Sequence, residues 1–140
     1  MKQQTISTHG GEKYYIEEVL GAGGMGVVYL ARDLVCGRPI ALKLISGQDA
    51  REEEIARLVR EARLTADLEH PNIIPIHELG QDTQGHFYYT MKCVNGITLA
   101  DILVALRKGD QEIIRDYPLE RLLTVFMKVC DAVAFAHSRG

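Results

Sequence analysis

Leu20-Gly21-Ala22-Gly23-Gly24-Met25-Gly26-Val27-Val28-Tyr29-Leu30-Ala31-Arg32, followed after a short interval by Ala41-Leu42-Lys43, is the stretch that decides the fold. Gly21, Gly23 and Gly26 form a G-x-G-x-x-G pattern. Val27 to Leu30 is a β-branched and aromatic run, and such residues favour a strand over a helix. The glycines therefore join two strands as a hairpin. In a dinucleotide-binding fold the same glycines would open a helix and an acidic residue would end a second parallel strand, so that oxidoreductase reading is disfavoured.

Outward from this hairpin, Tyr14 to Leu20 reads as the first strand, Val27 to Asp33 as the second and Pro39 to Ile45 as the third, with Cys36-Gly37-Arg38 as a turn. Asp49 and Glu52 make a capping-box pattern ahead of a helix carrying Ile55, Leu58, Val59, Ala62 and Ala66 at helical spacing. His70-Pro71 ends it. Ile73 to Leu79 and His86 to Val94 read as two further strands. Thr98 and Asp101 form another capping box, opening a helix to Leu106, and Gly109 lies beyond its end. Lys108 to Asp116 is polar and reads as loop. Pro118 suits the first turn of a last helix running to about His137. That helix is apolar around most of its circumference, so it needs cover on more than one side. Met1 to Glu12, with His9-Gly10-Gly11 as a turn, reads as a flexible lead-in.

The whole is an α+β chain, with five antiparallel strands and one helix followed by two more helices. At 140 residues it has room for one compact domain, and 46% apolar and 25% charged residues are ordinary for a globular protein. A net charge of -3 with scattered Lys and Arg gives no electrostatic case for nucleic acid or an anionic membrane. The apolar runs are too short to span a bilayer, and Met1 to Gly11 has no apolar signal core. Cys36, Cys93 and Cys130 are odd in number and make no C-x-x-C pair, which argues against a disulfide framework or a zinc site and for a reducing cytoplasm. Five histidines without an H-x-x-x-H pair or clustered acids suggest no metal site.

Taken together, Gly21-x-Gly23-x-x-Gly26-x-Val28, Ala41-x-Lys43, Glu61, His70-Pro71-Asn72-Ile73 and the Met91 to Gly96 segment resemble the N-terminal half of a eukaryotic-type Ser/Thr protein kinase, of the kind bacteria also encode. The resemblance runs from about Tyr14 to Gly140. It divides the chain into a small lobe and hinge over residues 13–96 and the start of a large lobe over 97–140.

It implies ATP as ligand and protein substrates as partners. Gly21 to Gly26 would cover the phosphates, where glycine lets the backbone approach closely. Lys43 would contact the α- and β-phosphates and pair with Glu61. Leu20, Val28 and Ala41 would roof the adenine, with Met91 as gatekeeper and Leu99 beneath the ring. The Lys92 carbonyl and the Val94 amide would meet the adenine edge. Lys92 departs from the family, which often has an acid there.

The family's His-Arg-Asp catalytic loop and its Mg²⁺-binding Asp-Phe-Gly triplet do not occur in the 140 residues. The catalytic base is therefore absent, Mg²⁺ is expected only with large-lobe residues, and the chain alone is expected to bind nucleotide without transferring phosphate. A non-catalytic nucleotide-sensing or interaction module is the alternative. An uncovered last helix further suggests self-association, or docking on a partner chain, through residues 97–140.

Overall fold

The computed structural model describes residues 5–8, 10–23, 26–44 and 52–139, without the side chain of Glu54. His9, Gly24, Met25, Ile45, Asp49 and Gly140, each named above, lie outside the described residues. The described chain divides into two units, one of residues 1–69 and 73–93, the other of residues 70–72 and 94–140.

The first unit is a curled antiparallel sheet with one helix. Its elements are β1 (Thr5–Thr8), β2 (Gly11–Gly23), β3 (Gly26–Asp33), β4 (Pro39–Leu44), α1 (Glu52–Ala66), β5 (Ile76–Gln81) and β6 (Phe87–Lys92), with sheet order β1-β2-β3-β4-β6-β5. Six strands stand where the sequence suggested five. The extra one falls inside the expected lead-in, because Ile6, the apolar residue among Thr5, Ser7 and Thr8, is only 3% exposed and anchors the strand to the core. Gly11, at φ 108°, lets the chain turn back from β1 into β2.

Strand alternation builds two faces. Ile6, Tyr14, Ala31, Ile40, Leu42, Leu44 and Tyr88 form one core inside the curl. On the other face, Leu58 and Ala62 of α1 pack on Tyr89, flanked by Ile55, Ile76, Leu79, Phe87 and Met91. The sequence period thus sends neighbouring Tyr88 and Tyr89 to opposite cores.

The curl joins the two edges of the sheet. Thr83 N donates to Ser7 O at 2.9 Å, linking the β5–β6 turn to β1. Glu78 of β5 accepts from Lys13 Nζ, from Tyr14 Oη at 3.2 Å and from Tyr88 Oη at 3.0 Å. Burial pushes the Glu78 carboxyl up, but the donors from Lys13, Tyr88 and Tyr14 outweigh it and hold it below its ordinary value. A half-buried carboxylate is tolerated here because its oxygens are satisfied.

The second unit contains α2 (Leu99–Arg107), α3 (Gln111–Asp116) and α4 (Leu119–Ser138). Thr98 caps α2, its Oγ1 accepting from Asp101 N at 3.1 Å. The expected loop over Lys108 to Asp116 contains α3, because Asp110 accepts from Glu112 N and Ile113 N and so caps a short helix. Pro118 is the N-cap of α4, one place before its first residue. The His70-Pro71-Asn72 turn docks on α4: Asn72 Nδ2 donates to Lys128 O at 3.1 Å, and the His70 ring lies 5.2 Å from that of Phe135. Leu119, Leu123, Phe126 and Met127 are exposed along α4.

Gly80 is fixed by packing. A Cβ there would stand 2.6 Å from Tyr88 Oη and 2.7 Å from its Cζ. Tyr88 is 1% exposed and cannot swing aside. Gly80→Ala should therefore destabilise the protein by about 1–3 kcal/mol, while Gly10→Ala, exposed and open, should stay within about 0.5 kcal/mol. Urea unfolding of both variants checks this.

Candidate functional site

The glycine hairpin comes from the pairing of β2 with β3. Gly21 lies opposite Val28, Ala22 opposite Val27 and Gly23 opposite Gly26. The register shifts between Val19 and Gly21, which leaves Leu20, 50% exposed, without a partner in the ladder. Gly26, at φ 116°, adopts backbone that only glycine takes readily. Gly21 and Gly23 differ: a Cβ on either would meet nothing within 4 Å among the described residues.

β4 carries the hairpin's register inward. Val28 pairs with Lys43 and Leu30 with Ala41 on one side, while Tyr89 pairs with Lys43 and Met91 with Ala41 on the other. Residues directly opposite each other in an antiparallel ladder share a face. Val28, Ala41, Lys43, Met91 and Tyr89 therefore lie on one face, the face that α1 covers in part. Ala41 is buried, and Val28 and Met91 are half-buried. Lys92 pairs with Ile40 and is exposed. Val94 and Leu99 belong to the second unit, where both are exposed.

Lys43 cannot reach bulk water freely, since its side chain is 14% exposed. Its ammonium finds Glu61 of α1, with Nζ 2.9 Å from Oε1. Tyr89 Oη donates to the same Oε1 at 2.8 Å, and Lys43 Nζ lies 5.6 Å from the centre of the Tyr89 ring. Glu61 reaches this point because Leu58 and Ala62, its neighbours on the helix, are the buried residues of α1. Thr65 Oγ1 bonds back to the Glu61 carbonyl at 2.8 Å.

Partial burial pushes the Glu61 carboxyl up, but the bonds from Lys43 and Tyr89 prevail and hold it below its ordinary value. Burial, and next its bond to Glu61, push the Tyr89 phenol well above the ordinary tyrosine range, so it stays a donor at neutral pH. Sequence reasoning missed Tyr89. The signal was available in the period of two that places it on the face of Met91 and opposite Lys43.

Among the described residues no three His, Cys, Asp or Glu side chains cluster as metal ligands, and no helix is long and apolar enough to cross a membrane. Cys36, Cys93 and Cys130 are free thiols.

A curled antiparallel sheet, a glycine hairpin and an internal lysine paired with a helix carboxylate define the small lobe of a protein kinase. Residues 14–140 match the protein kinase domain family. Over 134 residues, 92% of the chain, it is 37% identical to the serine/threonine-protein kinase PknD of Chlamydia caviae, and equally so to PknD of Chlamydia pneumoniae. Among solved structures it resembles the kinase domain of Mycobacterium tuberculosis PknI, with 27% identity and a TM-score of 0.65 over the whole chain. The chain belongs to the protein kinase domain family. It spans 14% of the length of these PknD relatives and 52% of the PknI kinase-domain chain.

The lowered Glu61 value fixes a sign for pH dependence. A carboxyl that ionises more readily folded than unfolded contributes stability above its unfolded value, about 4.5, and loses it as pH falls through the lower folded value. Glu78 and Asp82 act in the same direction. Glu61→Gln should therefore flatten the acid limb of the stability curve below about pH 5 without abolishing it, as measured by thermal unfolding across that range.

Proposed function

We propose that this chain is the ATP-binding part of a Ser/Thr protein kinase. The observation that carries the proposal is Lys43, a cation in an apolar strand, aligned with Glu61 and set opposite Val28 beside a glycine hairpin. Nothing among the described residues requires Gly21 or Gly23 to lack a Cβ. A ligand pressed against the hairpin backbone would require it.

In this reading Gly21, Ala22, Gly23, Gly24, Met25 and Gly26 cover the phosphates through their backbone. Lys43 binds the α- and β-phosphates, and Glu61 restrains its ammonium. Leu20, Val28 and Ala41 cover the adenine, Met91 closes the back, and the main chain at Lys92 offers an edge hydrogen bond. Joined to a catalytic large lobe, the assembly would transfer the γ-phosphate of ATP to Ser or Thr of a protein substrate, with Mg²⁺ held by residues of that lobe. A reducing cytoplasm suits the three unpaired thiols.

The second reading is a nucleotide-sensing or interaction module without catalysis. The kinase reading requires nucleotide binding, and an interaction module does not.

Calorimetric titration of MgATP into the chain should give saturable binding. Lys43→Met, losing a charge-assisted contact to phosphate, should weaken it roughly ten- to hundred-fold. A folded chain that binds no MgATP overturns the proposal. Labelled ATP incubated with the 140-residue chain and a Ser/Thr-containing protein should transfer no label; transfer would overturn the expected inactivity.

A further inference from the structure

We propose that Tyr89 is a positioning residue for the Lys43–Glu61 pair, its hydroxyl holding α1 in the orientation that presents the Lys43 ammonium. The proposal rests on the nucleotide-binding reading and adds a third member to its charged pair.

Tyr89 is 4% exposed and sits under α1 against Leu58 and Ala62. Its ring belongs to the core, but its hydroxyl is a polar group carried into that core. A buried hydroxyl without a partner is costly, so the position demands an acceptor. Glu61 Oε1, at 2.8 Å, is the only hydrogen-bond partner of Tyr89 Oη among the described residues. Lys43 Nζ reaches the same oxygen at 2.9 Å.

One carboxylate oxygen thus collects two donors from adjacent strands, and the pairing of Lys43 with Tyr89 across β4 and β6 sets those donors side by side. Rotation of α1 that carried Glu61 away would strand a buried phenol as well as an ammonium. With phenylalanine at this position the same rotation would strand the ammonium alone. Tyr89 therefore biases α1 toward the paired state. A ligand that needs the paired state binds more tightly when that state is more populated.

Tyr89→Phe removes one oxygen and keeps the ring in its core, and an unfolding transition measured first shows whether the fold is kept. The Glu61 carboxyl is then titrated by carbon NMR in the wild-type chain and the variant. Loss of the Tyr89 donor should move its titration upward, and MgATP affinity should fall about three- to ten-fold. Placed in a Glu61→Gln background, Tyr89→Phe should weaken MgATP binding much less than it does alone, because its effect passes through that carboxylate.

An unmoved Glu61 titration overturns the proposal. So does an equal loss of affinity in both backgrounds, which would make Tyr89 a packing residue only. If the folded wild-type chain binds no MgATP, the nucleotide reading fails, and the Glu61 titration still decides whether Tyr89 holds the helix carboxylate.

Discussion

A cation in an apolar strand must be given a partner, and most of the first unit is arranged around that requirement. Lys43 lies in β4 among Ile40, Leu42 and Leu44, which are buried on the opposite face. Its ammonium is satisfied only if α1 comes down on the sheet with Glu61 facing inward. Leu58 and Ala62 bring it there, since burying them against Tyr89 fixes which side of the helix faces the strands. Hydrophobic burial supplies both the driving force and the rotation, and the ion pair satisfies the charge that this rotation brings together.

The glycine hairpin and the charged pair share one frame because β3 lies between them. Val28 is paired with Gly21 on one side and Lys43 on the other, so the ladder sets the spacing of loop and lysine. The glycines themselves divide by role. The backbone dihedral of Gly26 demands glycine for folding, whereas Gly21 and Gly23 are left open by the rest of the chain.

Much of this was legible in the residues. The strand after the glycines, Lys43 within its apolar run and the cap at Thr98 depend on local pattern, and local pattern is what a sequence displays directly. What was missed depends on tertiary context or on short range. β1 rests on a single apolar residue, Ile6, whose burial against distant strands cannot be read from four hydroxyl-rich positions. α3 is six residues long, too short to show a helical period, and is defined by the Asp110 cap. Tyr89 finds its acceptor 28 positions earlier in the chain. The sequence offered its face but not its partner. The difference between Gly26 and its two companions is likewise invisible until dihedral angles are known.

Tyr88 and Tyr89 are consecutive, equally bulky and both phenolic, yet each is matched to a different carboxylate: Tyr88 to Glu78 inside the curl, Tyr89 to Glu61 beneath α1. The two pairings act as a reading-frame check on β6. A slip of one position would put Phe87 or Thr90 where a phenol is expected and leave one of the two acids facing the wrong group. Changes of length in the 82–86 turn should therefore survive only as loops that leave this frame intact. The dipeptide ties the shape of the sheet to the setting of the helix.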